Sequence, residues 1–169
     1  MNSSWTARSS LCLFVTWGFL GTSTTVAESN WPGFLGPGGV AVADANVSGI
    51  PVSFEEWDES ILWKISSGSG HSSPCIWGRY LFFTSAEDNG ANLVMKAIDR
   101  RNGESLWEYR VKGNKGEPFG HRASNPAAPT PCCDGEHVVF YFGGYGLIVC
   151  DMKTGKVLWE KRFPFTPLT

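Results

Sequence analysis

From residue 73 onward, the chain alternates short runs of β-branched and aromatic residues with clusters of Gly, Asn and Asp. Such runs between turn-forming residues are typical of strands joined by hairpins. The first series predicts four strands, at Ser73–Ile76, Tyr80–Thr84, Leu93–Ile98 and Ser105–Val111. No helical period is found after residue 30, so the pattern favours an all-β fold.

The same pattern occurs twice. The segment 99–108 recurs as 151–160, with Asp, Gly, Leu and Trp at identical offsets. Upstream, 74–83 matches 131–140, and a partial third copy ends in Leu-Trp at position 63. The first match is displaced by 52 residues and the second by 57, so one connection in the first copy is five residues longer.

This repeat predicts an incomplete β-propeller of four-stranded antiparallel blades. Blades bury their faces on each other, and a repeat spacing of about 40–50 residues is typical of them. Each Gly suits a turn at positive φ, each Asp can accept N–H bonds in that turn, and each Trp can cover the neighbouring blade. The repeated structural residues are Asp99, Gly103, Trp107, Asp151, Gly155, Trp159 and Trp63. The alternative is a sandwich with two similar hairpins.

The repeated element resembles that of a known family. Ala97, Asp99, Gly103 and Trp107 match the repeat of pyrroloquinoline quinone-like (quinoprotein-like) propellers, and 30–39 and 70–74 are similar to the start of exported bacterial members. The resemblance implies about six to eight blades. This chain has room for about two blades plus a closing strand at Ser53–Ile65, so it is expected to be an N-terminal fragment or a truncated product.

The first residues predict export. A polar start with Arg8 precedes the apolar run 11–20 and small residues up to Ala27. The run is shorter than the roughly 20 residues that span a bilayer, and its flanks are typical of a secretory signal. We therefore divide the chain into a signal at 1–27, an extended segment at 28–52 and propeller repeats at 53–169. A buried N-terminal helix is the alternative.

Export places the mature chain in the periplasm or outside the cell, with membrane contact only through the signal. The net charge is −2 and there is no run of Lys or Arg. Phosphate binding requires a concentrated basic patch, so a nucleic-acid partner is not expected.

The adjacent thiols Cys132 and Cys133 are the weak candidates for cofactor binding. Quinoprotein alcohol dehydrogenases, which the repeat resembles, stack a disulfide between neighbouring cysteines on the quinone. Against this, Cys132 matches Cys75 in the repeat, and the following Asp-Gly is a turn. Adjacent Cα atoms are about 3.8 Å apart, below the usual disulfide span. Because Cys75 belongs to another blade and Cys150 to a distant strand, no ordinary disulfide is expected.

No catalytic or metal site is evident. His71, His121 and His137 lack metal-binding spacing, and the glycine-rich segment 143–146 predicts a hairpin because no helix follows it. The calcium-binding acid and Asn and the catalytic Asp of quinoprotein dehydrogenases are not located. Pyrroloquinoline quinone with calcium is therefore a cofactor only under the enzyme alternative.

Strand parity predicts the working surface. The second-to-third hairpin at 85–92 and the inter-blade link at 112–126 must emerge on one face, and both are long. Loops on rigid scaffolds carry function. The candidate ligand or partner residues are Glu87, Asp88, Lys112, Lys115, His121 and Arg122. Tolerated surface insertions are the alternative.

Two functions remain. The leading hypothesis is a non-catalytic propeller that binds an unknown protein or small ligand. The alternative is the N-terminal part of a quinone-dependent alcohol dehydrogenase.

Overall fold

The described part of the chain is built from two antiparallel sheets. A computed structural model describes residues 30–43, 45, 47, 49–55, 58–113 and 125–163. Within these ranges the only helical elements are two 3₁₀ turns, Pro37–Gly39 and Asp88–Gly90, and no helix is long and apolar enough to cross a membrane. The all-β prediction is confirmed.

Each sheet is a four-stranded meander in chain order, as in a propeller blade. The first blade contains β1 (Cys75–Trp77), β2 (Tyr80–Glu87), β3 (Asn92–Asp99) and β4 (Ser105–Lys112). The second blade contains β5 (Cys132–Cys133), β6 (His137–Phe142), β7 (Gly146–Asp151) and β8 (Val157–Arg162). Trp107 and Trp159 are at equivalent positions, since they pair with Ala97 and Val149.

The β2–β3 hairpin differs from the predicted loop at 85–92. Strand β2 continues to Glu87, and β3 begins at Asn92, directly opposite it. Ser85 and Ala86 have modest β propensity, but both are buried and paired, so tertiary packing overrides that propensity. The five extra residues therefore lengthen both strands by two residues each and the turn by one, compared with β6 and β7.

The two blades share one hydrophobic core. Opposite residues of an antiparallel sheet point to the same face. One row in the first blade contains Cys75, Phe82, Ala97 and Trp107. One row in the second blade contains Cys133, Val138, Cys150 and Val157. Both rows belong to the same core cluster, and the Trp107 ring lies 6.2 Å from that of Phe140, which shares the face of Val138. The two rows therefore face each other.

Trp107 joins the blades by covering a turn of the second one. Its indole N–H donates to the Met152 carbonyl oxygen over 3.0 Å. Gly155 lies directly under the ring, because a Cβ at that position would be 2.6 Å from the indole. Trp77 covers Gly135 in a similar way.

Trp63 makes the equivalent contact with the first blade. Its indole N–H donates to the Arg100 carbonyl oxygen over 2.8 Å, and its ring lies over Gly103. The prediction of a complete closing strand at Ser53–Ile65 is wrong for the described residues, which form no strand there. The described residues of this segment keep the tryptophan contact of an outer strand.

The repeated Asp residues organise the turns that the tryptophans cover. The Asp99 carboxylate accepts the Arg101 backbone N–H over 3.0 Å, and the Asp151 carboxylate accepts the Thr154 backbone N–H over 2.8 Å. Asp99 has a buried side chain that also pairs with the guanidinium groups of Arg79 and Arg101. Its environment is therefore more strongly charged than that of Asp151.

Acid should destabilise the chain through Asp99. The Arg101 side chain donates to this carboxylate, and with the Arg101 N–H and the Arg79 charge it holds the pKa of Asp99 well below the ordinary 3.8. The stabilisation from this carboxylate is fully present well above pH 3.8 and is lost as the pH falls towards the folded-state pKa of Asp99. We expect Asp99→Asn to lose less stability between neutral pH and about pH 3 than the wild type does.

Urea denaturation at the two pH values measures this difference. Glu104→Gln, on the same turn but exposed, is the matched control and should keep the wild-type loss. Equal acid sensitivity of Asp99→Asn and wild type would contradict the assignment.

Candidate functional site

One face of the two blades contains the turns and links that lead into the odd-numbered strands. It contains the β2–β3 turn (88–91), the β6–β7 turn (143–145), the link before β1 (66–74) and the described part of the link before β5 (125–131). We call this surface the link face. The two links contact each other, because the N–H groups of His71 and Ser72 both donate to the Ala127 carbonyl oxygen, over 3.2 and 3.0 Å. The Asn125 side-chain amide donates to the Ser69 hydroxyl over 3.2 Å. The start of each blade is thus fixed to the other.

The structure places three of the predicted surface residues on the link face. Glu87 ends β2, Asp88 begins the turn after it, and Lys112 ends β4. Lys112 Nζ donates to Asn92 Oδ1 over 2.8 Å, so these residues lie around one hairpin and its neighbouring strand. Lys115, His121 and Arg122 lie outside the described residues.

Arg110 was missed by the sequence analysis. Its guanidinium forms an ion pair with Glu87 and another with Glu108 over 2.6 Å. The hydrogen bond to Glu87 is the main reason that the pKa of Arg110 is raised. The signal was available, since alternate residues on β4 share a face and lie against charges on β2 and β3.

These contacts stabilise the β2–β3 hairpin, which projects beyond the corresponding hairpin of the second blade. Two extra residues per strand extend it by roughly 6.6 Å beyond the β6–β7 hairpin. The side chains of Arg110 and Lys112, both on β4, hold its two strands from one side through Glu87 and Asn92.

A cavity of about 310 Å³ lies beside the link to the first blade. Its apolar walls are formed by Trp63, Ile65, Leu81 and Phe83. The Ser72 hydroxyl is among the polar groups that line this cavity. It is bounded by the first-blade link and by the closing segment. A similar cavity of about 320 Å³ lies near Trp31 and Arg100.

The adjacent thiols point in opposite directions. Cys132 is exposed and its Cβ lies near Gly33, whereas Cys133 is buried in the core cluster. Burial raises the pKa of the Cys132 thiol. A quinone-stacking disulfide requires both sulfurs on one side, so these two residues do not fit that group in this fold.

The described histidines and acids lack a metal-binding arrangement. Among the described residues, no cluster of three or more His, Cys, Asp or Glu side chains is suited to a metal ion. His137 Nδ1 contacts Asp134 over 3.0 Å. The N–H groups of His137 and Glu136 and the His137 ring hold the pKa of Asp134 at about 2. Asp134 therefore serves the turn before β6.

The repeated four-stranded sheets, with a Trp of one blade covering the Asp-Gly turn of the next, define a β-propeller of the pyrroloquinoline quinone-like class. Residues 23–168 match a family model described as "PQQ_2: Outer membrane protein assembly factor BamB". The chain belongs to this family, as the resemblance implied.

A curated relative is a quinone-dependent 1-butanol dehydrogenase of Thauera butanivorans. It is 36% identical over 76 residues, which cover 40% of this chain and 10% of that protein. Among solved structures, a europium-containing methanol dehydrogenase aligns with a TM-score of 0.48 and 20% identity, over 59% of this chain and 17% of its own. The chain thus spans a small part of these enzymes.

Proposed function

We propose that this chain is part of an exported, non-catalytic propeller that docks a protein partner on its link face. The projecting β2–β3 hairpin is the observation that carries the proposal. Because its strands are cross-braced by Arg110 and Lys112, little conformational freedom is lost when it binds, and this favours affinity. Charges of both signs on and beside the hairpin suit a polar protein surface.

The family description supports this kind of role. It names an outer membrane protein assembly factor. The export in this proposal rests on the predicted signal at 1–27, which lies outside the described residues.

Site-specific photo-crosslinking tests the proposal. A photoreactive phenylalanine derivative at Lys112, which is exposed on the link face, should give a protein adduct in the native cells. The same substitution at Lys153, which is exposed on the β7–β8 turn of the opposite face, is the matched control and should give none. Equal adducts from both positions, or none from Lys112, would count against a partner on the link face.

The second candidate is the N-terminal part of a quinone-dependent alcohol dehydrogenase. The butanol dehydrogenase match favours it, whereas the opposed Cys132 and Cys133 side chains do not. Saturable, calcium-dependent quenching of tryptophan fluorescence by pyrroloquinoline quinone would favour this candidate over the docking role.

A further inference from the structure

Two cysteines from different blades meet at the innermost strands. Cys75 on β1 faces the second blade, because it shares a row with Trp107. Cys133 on β5 faces the first blade, because it pairs with Val138, which lies on the side of Phe140. Strands β1 and β5 are neighbours, so both thiols point into the same narrow interface.

The burial of the two residues agrees with this arrangement. Cys75 is 0% exposed and Cys133 is 9% exposed, and both belong to the shared core. The backbone is tied here by the N-terminal segment, since Trp31 pairs with Ile76 and the Pro32 carbonyl oxygen accepts the Cys133 N–H over 2.9 Å. This segment fixes β1 and β5 at the cysteines themselves.

The two thiols also interact directly. Contact with the Cys75 thiol lowers the pKa of Cys133, and the same contact, together with burial, raises the pKa of Cys75. Cys133 is also the more exposed of the two residues, so an oxidant reaches its sulfur first, with the Cys75 thiol beside it. A thiolate next to a second thiol is the arrangement that thiol–disulfide exchange requires.

The other two described cysteines are excluded by strand geometry. Cys132 lies on the opposite side of β5, towards solvent. Cys150 shares the face of Cys133 but lies two strands away, at about 9.6 Å, beyond a disulfide's reach. Burial raises the pKa of Cys150 to about 11.

We propose that Cys75 and Cys133 form an inter-blade disulfide when the protein meets a disulfide oxidant such as oxidised glutathione. The Cys133 thiolate attacks one sulfur of the oxidant and releases one thiol. Cys75 then loses its proton and attacks the Cys133 sulfur of the mixed disulfide, releasing the second thiol. The chain loses two hydrogens, and one oxidant disulfide becomes two thiols. The oxidising compartment expected for an exported protein favours the Cys75–Cys133 disulfide.

The pairing revises the expectation that no ordinary disulfide forms. That expectation assumed that cysteines of separate blades stay apart. In the structure all four described cysteines are free thiols, but β1 and β5 bring one thiol of each blade together. Closing the bridge ties residues 58 positions apart, and a loop of that length restricts the unfolded chain strongly.

Refolding the full chain in glutathione redox buffers, followed by peptide mapping without reduction, tests the proposal. Cleavage after Lys, Arg, Asp and Glu places Cys75 in 65–79, Cys132 and Cys133 in 123–134, Cys150 in 137–151 and Cys12 in a peptide of its own. We expect peptides 65–79 and 123–134 to be linked as the oxidised fraction of glutathione rises. Cys132→Ser should keep this link and Cys133→Ser should lose it.

A thermal scan gives an independent readout. The melting temperature of the oxidised wild type and of Cys132→Ser should fall by about 10 °C on reduction, whereas that of Cys133→Ser should not change. A link that survives in Cys133→Ser, a dominant Cys132–Cys133 bridge, or a free Cys75 in fully oxidised buffer would overturn the proposal.

Discussion

Replacing Trp107 by Ala should destabilise the chain by about 3 kcal/mol. The substitution removes a ring that packs against Phe82 and Phe140, at centroid distances of 5.8 and 6.2 Å. It also removes the hydrogen bond to the Met152 carbonyl oxygen. Because this ring joins one blade to the next, its loss should weaken the interface between blades rather than either sheet.

Trp159→Ala is the matched control, since Trp159 occupies the same position on β8 but is 52% exposed in this chain. We expect it to cost less than about 1 kcal/mol. Trp107→Phe keeps one aromatic ring but loses the N–H donor and part of the packed ring area, and should cost about 2 kcal/mol. Urea denaturation monitored by circular dichroism measures all three. Equal losses for Trp107→Ala and Trp159→Ala would contradict the role of Trp107 at the interface.

The blades could be predicted from the sequence because the repeated residues are the ones that form the contacts between blades. The Asp-Gly turn and the Trp are both local signals, and the spacing between them fixes which side of β4 the ring occupies. In the structure Trp63 and Trp107 repeat the same indole-to-carbonyl hydrogen bond one blade apart. Two such contacts at equal positions agree with the propeller and not with a sandwich of two unrelated hairpins.

The hairpin length was harder to predict, since Ser85, Ala86 and Glu87 give no strong strand signal. Their pairing with β3 is decided by burial of Ser85 and Ala86 and by the Glu87–Arg110 ion pair. Both depend on residues about 20 positions away, Ser69 in the link before β1 and Arg110 on β4, which local propensity does not include. The predicted loop was consequently too long.

The cysteine pair was missed for a different reason. The repeat equates Cys75 with Cys132, so the residue after Cys132 lies on the opposite face of its strand. The Trp107 row faces the second blade. Cys75 therefore faces the second blade, and Cys133 faces the first. The sequence contained this information, but cysteines of different blades were expected to lie too far apart to form a bridge.

Gly155→Ala should be nearly as damaging as the loss of Trp107. Gly155 has a φ of +71°, which an L residue adopts at a cost, and its added Cβ would lie 2.6 Å from the indole. Together, the backbone strain and the forced movement of the ring should cost about 3 kcal/mol. Gly143→Ala, exposed with no atom within 4 Å of its added Cβ, is the control and should change stability by less than about 0.5 kcal/mol.

A double-mutant cycle separates the two causes. In a Trp107→Ala background the ring is gone, so Gly155→Ala should cost only the backbone part, about 1 kcal/mol. The coupling between the two positions should therefore be large, of the order of 2 kcal/mol. Gly155→Asn should cost less than Gly155→Ala in the wild-type background, about 2 kcal/mol, because Asn tolerates positive φ but still places a Cβ against the indole. If Gly155→Ala costs the same with and without the ring, the contact between the turn and Trp107 does not hold the blades together, and backbone strain alone explains the glycine.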